Sequence, residues 1–391
     1  MFEKTDAALK EMGAAITTRE IKQQPELWQE TLEIFKANQD KIKDFLAMVE
    51  KSAEGKKVRV VFTGAGTSQY VGDTLVPYLS QKGDHEHFQF ESIGTTNIVA
   101  APKEYLFENE TTLLVSFARS GNSPESVATV EIANQYIKNV FHLTVTCAPE
   151  GALAKAAKDD PRNLLLLMPP LSNDQGFAMT GSYSCMTLTG LLVFDTTDLT
   201  AKENYVEAIK ILGHEVLSRE GEIQKVIDLD FNRIVYLGSG SLAGLTREAQ
   251  LKVLELTAGK IATCYDSSMG FRHGPKSFVD EKTLVFDFIH NNPYTRQYDV
   301  DILEEIKGDE IAAAVTGIGQ SGALNFTGNT FTFKKSTTIL PDGYLALPCV
   351  MYAQTVSLLA SIKVGNTPDT PSPSGTVNRV VKGVTIHPFE K

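Results

Sequence analysis

The chain has 391 residues, enough for two or three domains, and its 42% hydrophobic and 22% charged residues are ordinary for a globular protein. A net charge of −11 without a basic tail argues against non-specific nucleic-acid binding, and the charged N-terminus has no apolar signal core. We therefore expect a cytoplasmic protein without nucleic-acid or membrane partners. Its four widely spaced cysteines should remain reduced, mostly buried thiols.

Residues 1–54 show helical periodicity, followed by a change of pattern. Apolar side chains between Trp28 and Val49 recur at roughly helical spacing, which predicts a helical arm that packs on the domains or on a partner subunit. From residue 55, short apolar runs alternate with amphipathic segments, and a parallel sheet with helices on both faces is the usual result. The predicted strands are 58–62, 88–93, 113–117, 140–146 and 164–168, and a long apolar helix is predicted at 183–194.

The second half of the chain repeats the first. After a charged helical connection at 200–228, the strand 233–237 runs into a glycine loop, as 58–62 does earlier. Strands at 283–289, 312–316 and 331–333 complete this half, and the apolar stretch 345–362 predicts a buried helix. The predicted organisation is a helical arm, two similar α/β domains and a proline-rich tail, with boundaries 1–54, 55–200, 201–365 and 366–391. We expect an ordered tail, docked through valine and isoleucine side chains: Val380, Val381, Val384 and Ile386.

A serine-rich loop follows the apolar strand 113–117. This serine loop, residues 119–123, precedes a helix in which Ser123 suits the N-cap and Pro124 the first turn. Backbone N–H groups, the helix dipole, the Ser120 and Ser123 hydroxyls and the Arg119 guanidinium would bind a phosphate there. The same residues would also fit an ordinary capped turn.

Two glycine loops bear on this choice. The first glycine loop comprises residues 64–68, and Gln69 follows it at the position where a dinucleotide fingerprint needs its third glycine. The second glycine loop comprises residues 238–242, and with Ala243 after it the sequence fits the GxGxxA variant of that fingerprint. A nicotinamide-dependent oxidoreductase is therefore one alternative. This alternative leaves Ser68 and the serine loop unexplained. Because loops after neighbouring parallel strands converge, Ser68 and the serine loop should lie close together. Because the second half lacks a serine loop after residue 289, we expect one phosphate site per chain, in the first half.

Motifs along the chain together carry a family resemblance. They are GTS at 66–68, SGNSPES at 120–126, LKVLELTAG at 251–259, RHGP at 272–275 and VNRVVKGVTI at 377–386. In this order they resemble the sugar isomerase (SIS) family. The arrangement is similar to the isomerase half of glucosamine-6-phosphate synthase, and over residues 50–391 to the AgaS-type galactosamine-6-phosphate deaminase/isomerases. The resemblance implies two tandem three-layer α-β-α domains with flavodoxin-like parallel sheets, and neither a cofactor nor a metal.

The resemblance also implies site residues. Ser68, Ser120 and Ser123 match the hydroxyls that hold the sugar phosphate, and the rest of the substrate set comprises Gly66, Thr67, Arg119, Gly121, Asn122, Thr180 and Ser182. Arg119 replaces a glutamine of the synthase, and Thr180 and Ser182 fit equally as caps of the following helix. Glu255 matches the base, His273 the ring-opening histidine contributed by the neighbouring subunit, and Lys382 the Schiff-base lysine. By composition alone, a lysine in a tail is usually solvated.

The function implied is a deaminating isomerase that converts D-galactosamine 6-phosphate and water into D-tagatose 6-phosphate and ammonia. We expect this direction because Phe2 stands where the synthase's glutaminase domain has a cysteine, so no ammonia source is apparent. A plain aldose–ketose isomerase of tagatose 6-phosphate and a non-catalytic sugar-phosphate sensor are the alternatives. A homodimer or tetramer is expected, since His273 would act in a neighbouring site.

Overall fold

The computed structural model describes residues 1–320, 326–379, 381 and 383–391, so Val380 and Lys382 of the predicted tail lie outside it. The chain forms two compact units. The N-sheet unit comprises 30–174, 181–198 and 377–391, and the C-sheet unit comprises 1–29, 175–180 and 199–376. The domain boundaries drawn from the sequence stay predictions.

Ten strands are described, five to a sheet. They are β1 (Val58–Thr63), β2 (Phe88–Ser92), β3 (Thr112–Ala118), β4 (Val140–Thr146), β5 (Asn163–Leu167), β6 (Arg233–Gly238), β7 (Ala262–Ser267), β8 (Thr283–Phe288), β9 (Ala314–Gln320) and β10 (Asn329–Phe333).

The helices in chain order are α1 (Asp6–Glu11), α2 (Ala15–Lys22), α3 (Gln24–Ser52), α4 (Thr67–Lys82), α5 (Thr95–Ala100), α6 (Pro102–Tyr105), α7 (Pro124–Tyr136), α8 (Ala152–Ala157), α9 (Gly181–Phe194), α10 (Leu199–Ser218), α11 (Glu220–Ile227), α12 (Ser241–Leu256), α13 (Pro293–Gly308) and α14 (Asp342–Lys363). Short 3₁₀ helices occur at Pro170–Ser172, Gly270–His273 and Pro275–Phe278.

The sheet of the N-sheet unit is parallel, with strand order β2-β1-β3-β4-β5. Every residue of β1, β3 and β4 is buried, which explains their continuous apolar runs. Strand β2 pairs with one edge of β1, and the chain then returns so that β3 pairs with the opposite edge of β1. The switch point therefore lies between β1 and β3, where Thr63 pairs with Ser116.

The sheet of the C-sheet unit has the order β10-β9-β8-β6-β7, and all its pairs are parallel. Counted from β6, this is the same order as in the first sheet. The loops after the first strands also share one backbone conformation, since Gly66 has φ 57° and ψ −125° and Gly240 has φ 56° and ψ −128°. The predicted α/β class, with two flavodoxin-like parallel sheets, is confirmed.

Helix α14 lies at the centre of the C-sheet unit, where α10 and α12 pack against it. Among the described residues it is the one helix long and apolar enough to cross a membrane, yet 94% of its apolar 18-residue stretch is buried. The prediction of a buried helix is therefore confirmed. The helical arm also packs on this helix, because α2 contacts it and the Gln24 side-chain amide donates to Gln354 Oε1 at 2.6 Å.

Candidate functional site

The first glycine loop links β1 to α4 in the N-sheet unit. Gly66 adopts φ 57° with ψ −125°, a conformation that only glycine takes without strain. A Cβ at Gly66 would meet nothing within 4 Å, so the requirement for glycine comes from the backbone and not from crowding. Thr67 and Ser68 are the first two residues of α4 and both are buried, which places their hydroxyls at a helix N-terminus.

The serine loop follows β3 and is fixed by its own backbone. Ser120 Oγ accepts from the Asn122 N–H at 3.3 Å, and Asn122 Oδ1 accepts from the Ala152 N–H at 2.9 Å. Gly121 has φ +64°. Ser123 occupies the N-cap position of α7 with extended backbone, but its side chain makes no capping hydrogen bond. Ser123 and Pro124 thus occupy the predicted N-cap and first-turn positions, and the Ser123 hydroxyl is left suited to a ligand.

These two loops follow neighbouring strands. Because β1 and β3 pair in parallel up to Thr63 and Ser116, the loops emerge at the same carboxyl edge, on either side of the switch point. The first turns of α4 and α7 begin there as well. Helix N-termini and hydroxyls directed at one edge are the arrangement that a phosphate group needs.

Arg119 is only 6% exposed and contacts the C-terminal tail, since Nη2 donates to the Arg379 carbonyl oxygen at 2.6 Å. Two of the four side chains predicted to dock the tail do not do so, because Val381 and Val384 are 50% and 36% exposed, whereas Ile386 is partly buried and Val380 lies outside the described residues. Short polar and aromatic contacts hold the tail instead. Lys382 lies outside the described residues, so its role stays a prediction.

Ser182 and Thr180 stand at the start of α9, and both are buried. Ser182 Oγ donates to Asp174 Oδ2 at 2.5 Å, and the backbone N–H groups of Gly181 and Ser182 donate to the same carboxylate at 3.1 and 2.9 Å. Asp174 is thus the cap of α9, and sequence reasoning missed it. No local signal marks it, because it stands seven residues before the helix starts, whereas a capping side chain normally belongs to the N-cap residue.

Glu255 lies near the end of α12 in the C-sheet unit with a lysine beside it that sequence reasoning also missed. The fully buried Lys252 ammonium is 2.5 Å from Glu255 Oε2 and 3.3 Å from Glu248 Oε1. Burial alone would lower the pKa of Lys252, but the two carboxylates more than offset it and raise the pKa. The site therefore holds a charged lysine next to Glu255. The signal was present in the spacing, since residues three and four apart share one helix face.

His273 ends the 3₁₀ helix Gly270–His273 and is exposed. No hydrogen bond of its ring is found within the described part of the chain. Its flanking residues are held on α13, because Arg272 Nε and Lys276 Nζ contact the two Glu305 oxygens at 2.6 and 2.5 Å. A firmly held segment thus presents an exposed imidazole.

The second glycine loop has a different neighbour from the first. Ser239 Oγ donates to Asp299 Oδ1 at 2.5 Å, and Asp299 also accepts from Ser268 Oγ at 2.7 Å and from the His290 N–H at 2.9 Å. Burial raises the pKa of Asp299 despite these donors. The Asp299 carboxyl group already accepts a hydrogen bond from this loop, and a pyrophosphate bound at the loop would lie against that acidic group. This geometry counts against a dinucleotide site.

The candidate residues fall into two groups by unit. The serine loop, the first glycine loop, Ser182 and the tail belong to the N-sheet unit, whereas Thr180, Glu255, Lys252 and His273 belong to the C-sheet unit. In the described ranges, no group of three or more His, Cys, Asp or Glu residues could hold a metal ion.

Known proteins were compared with this chain. Profiles of protein families give no match. The chain is 43% identical over 377 residues to D-galactosamine-6-phosphate deaminase AgaS of Escherichia coli, with 96% of each chain covered. It matches a Clostridium novyi NT structure, provisionally assigned as a tagatose-6-phosphate ketose/aldose isomerase, with TM-score 0.94, 42% identity and coverage of 100% of this chain and 99% of that one. The C-terminal domain of glucosamine-fructose-6-phosphate aminotransferase from Francisella tularensis shares the fold, with TM-score 0.72, 17% identity and coverage of 90% and 98%.

Two parallel sheets of this order, with a serine loop at the switch point of the first, define the sugar isomerase (SIS) class of proteins. Identity of 43% over nearly the whole length is more specific than the fold. The chain belongs to the family of AgaS-type D-galactosamine-6-phosphate deaminases. The family predicted from the sequence motifs, and an enzyme of that family, are thereby confirmed.

Proposed function

We propose that this protein is a deaminating isomerase that converts D-galactosamine 6-phosphate and water into D-tagatose 6-phosphate and ammonia. The observation that carries the proposal is the near-full-length similarity to a curated relative named for deamination of that amino sugar. The serine loop beside the first glycine loop supports it, because that edge of the sheet suits a phosphate group.

Substrate binding starts at the phosphate in this proposal. Ser68, Ser120 and Ser123 donate hydroxyl hydrogen bonds to it, and Gly66, Thr67, Gly121 and Asn122 supply the shape of the two loops. Anchoring the phosphate end places the reacting end, so that remote binding energy lowers the barrier for chemistry at C1 and C2. Thr180 belongs to the proposed sugar contacts, and Ser182 supports them through its hydrogen bond to Asp174.

The chemistry moves one proton and hydrolyses one imine. After His273 assists ring opening, the Glu255 carboxylate takes the C2 proton of the open-chain 2-amino aldehyde, and an enolamine forms. Return of a proton to C1 gives a C2 imine, which water converts into the ketone and ammonia. The Lys252 ammonium, 2.5 Å from Glu255 Oε2, holds the carboxylate that acts as the base in position. Lys382 contributes an imine or a hydrogen bond to the developing oxyanion.

Ammonia release from galactosamine 6-phosphate is the measurement that tests this proposal, run beside glucosamine 6-phosphate as the C4 epimer. Glu255→Gln should reduce release by a factor of about 10² to 10⁴, the usual contribution of a general base. The control Glu207→Gln changes an exposed glutamate of α10 and should leave the rate unaltered. Equal rates for both variants would contradict the assignment of Glu255.

One alternative has specific support, because the Clostridium novyi relative is provisionally assigned as a ketose/aldose isomerase. The same groups would move a proton between C1 and C2 of tagatose 6-phosphate without releasing ammonia. Interconversion of tagatose 6-phosphate with its aldose, together with no ammonia from either amino sugar, would replace the deaminase by this isomerase.

A further inference from the structure

One buried carboxylate of the helical arm bonds the loop 175–180, which precedes α9. Glu20 of α2 is only 3% exposed. Its Oε1 accepts from the backbone N–H groups of Gln175 and Gly176 at 2.5 and 3.3 Å, and its Oε2 accepts from the Gly176 N–H at 3.2 Å. Arm and loop both belong to the C-sheet unit. Because burial of a carboxylate is costly without such donors, Glu20 and the loop hold each other in place.

Helix α2 is itself fixed at its N-terminus. The Asp369 carboxylate accepts from the Ile16 N–H at 3.0 Å and from the Thr17 N–H and hydroxyl at 2.8 Å each. These bonds satisfy free N–H groups of the first turn, where the N-cap residue Ala14 makes no side-chain cap. Glu20 therefore projects from a helix that is held at its start, and this makes the carboxylate a fixed point for the loop.

The loop backbone passes very close to this carboxylate. A Cβ at Gly176 would come within 2.9 Å of Glu20 Oε2, so glycine is what lets the backbone reach the carboxylate undisturbed. Gly176, Ala178 and Thr180 are buried, whereas the residues between them are exposed or partly exposed. Thr180 follows only four positions after Gly176, and so short a stretch of chain leaves it little freedom once Gly176 is fixed.

We propose that Glu20 is a positioning residue for substrate binding, which holds the loop 175–180 and so places the Thr180 hydroxyl against the sugar. The inference rests on the proposed function, since that function gives Thr180 its contact with the sugar. Glu20 touches no reacting atom, and its effect passes through the loop. The helical arm thereby takes part in substrate recognition and does more than pack on the domains.

Two changes loosen this contact from opposite sides. Glu20→Gln replaces one acceptor oxygen by an amide nitrogen, which is a donor and faces the N–H groups of the loop, and Gly176→Ala pushes a Cβ against the carboxylate. Each should raise KM for galactosamine 6-phosphate by about three- to tenfold, the usual contribution of one hydrogen bond, with kcat changed little. The inhibition constant of inorganic phosphate should stay unaltered, because that anion would bind at the serine loop.

Two further variants separate this role from general stability. Glu215→Gln is the matched control, because Glu215 is a buried helix glutamate that accepts from the consecutive N–H groups of Lys334 and Lys335, in a segment without candidate site residues. It should leave KM unaltered. In a Thr180→Val background, Glu20→Gln should add almost nothing to KM, because the hydroxyl that it places is gone. An equal rise in KM from Glu215→Gln, or additive effects in the Thr180→Val background, would overturn the positioning role.

Hydrogen exchange gives a readout that does not depend on catalysis. The backbone N–H groups of Gln175 and Gly176 should exchange about tenfold faster in Glu20→Gln than in wild type or Glu215→Gln, since they lose an acceptor. Faster exchange with unaltered KM would refute the role in substrate binding, and unaltered exchange would refute the hold on the loop. If wild type released no ammonia, the proposed function would fail instead, and calorimetric binding of galactosamine 6-phosphate would replace KM in the same comparison.

Discussion

His142 shows how burial of one side chain determines the pH dependence of stability. It lies in the interior strand β4 with Nε2 bonded to Asn134 Oδ1 at 2.8 Å, and burial lowers its pKa to about 4. Between pH 6.5 and 4 the unfolded chain binds a proton at this residue that the folded chain does not. The folded state therefore loses stability as pH falls through that range.

We expect His142→Gln to remove much of this loss, because a glutamine can keep the partner and does not titrate. From the pKa shift, the wild type should lose about 2–3 kcal/mol more than the variant between pH 6.5 and 4. Urea unfolding at a series of pH values measures it. The control His85→Gln changes an exposed histidine and should follow the wild-type curve. Parallel curves for all three proteins would contradict the burial argument.

At the same scale, the sequence shows some site residues and hides others. Glu255 and His273 stand in continuous motifs, so they are recognisable without a structure. Lys252 was overlooked because a lysine on a helix is normally solvated, whereas here α14 packs against α12 and the ammonium is enclosed between two carboxylates. Arg379 Nε donates to the Asp174 carbonyl oxygen across 205 residues of sequence, and no local pattern predicts such a contact.

At the scale of elements, the strands were predictable and their connections less so. Parallel strands buried on both faces produce the continuous apolar runs of β1, β3 and β4, which periodicity recognises readily. Ser123 occupies the predicted N-cap position at the start of α7, and its side chain makes no capping hydrogen bond. Propensity therefore located the helix end, but the use of the hydroxyl depends on the loop geometry around Gly121.

The glycine loop between β1 and α4 gives a prediction at this scale. Gly66→Ala should destabilise the protein by about 1–3 kcal/mol, because φ 57° with ψ −125° strains any residue with a Cβ. The matched control is Gly221→Ala in α11, where a Cβ also meets nothing within 4 Å but the backbone is helical. That change should stabilise by about 0.5–1 kcal/mol. Urea unfolding of both variants checks the pair, and effects of the same sign would refute the backbone argument.

At the scale of the whole molecule, the exposed His273 bears on the assembly. If it acts in the site of a second copy, then a protein with Glu255→Gln and a protein with His273→Asn are each inactive for a different reason. When the two variants are dissociated and mixed in equal amounts, half of the randomly formed dimers contain one chain of each, and such a dimer has one intact site of two. The mixture should therefore regain about a quarter of wild-type ammonia release. Mixtures that stay as inactive as their components would show that each chain uses its own His273.

The hydrogen bonds around Asp299 have a consequence for how the two halves respond to their surroundings. The second half carries an acidic group of its own against its glycine loop, so its fold is complete without any solute. The first half has hydroxyls and helix N-termini suited to an anion at its serine loop, so that inorganic phosphate should raise its stability. The same strand order thus carries a glycine loop bonded by the protein's own carboxyl group in one half and a candidate anion-binding loop in the other.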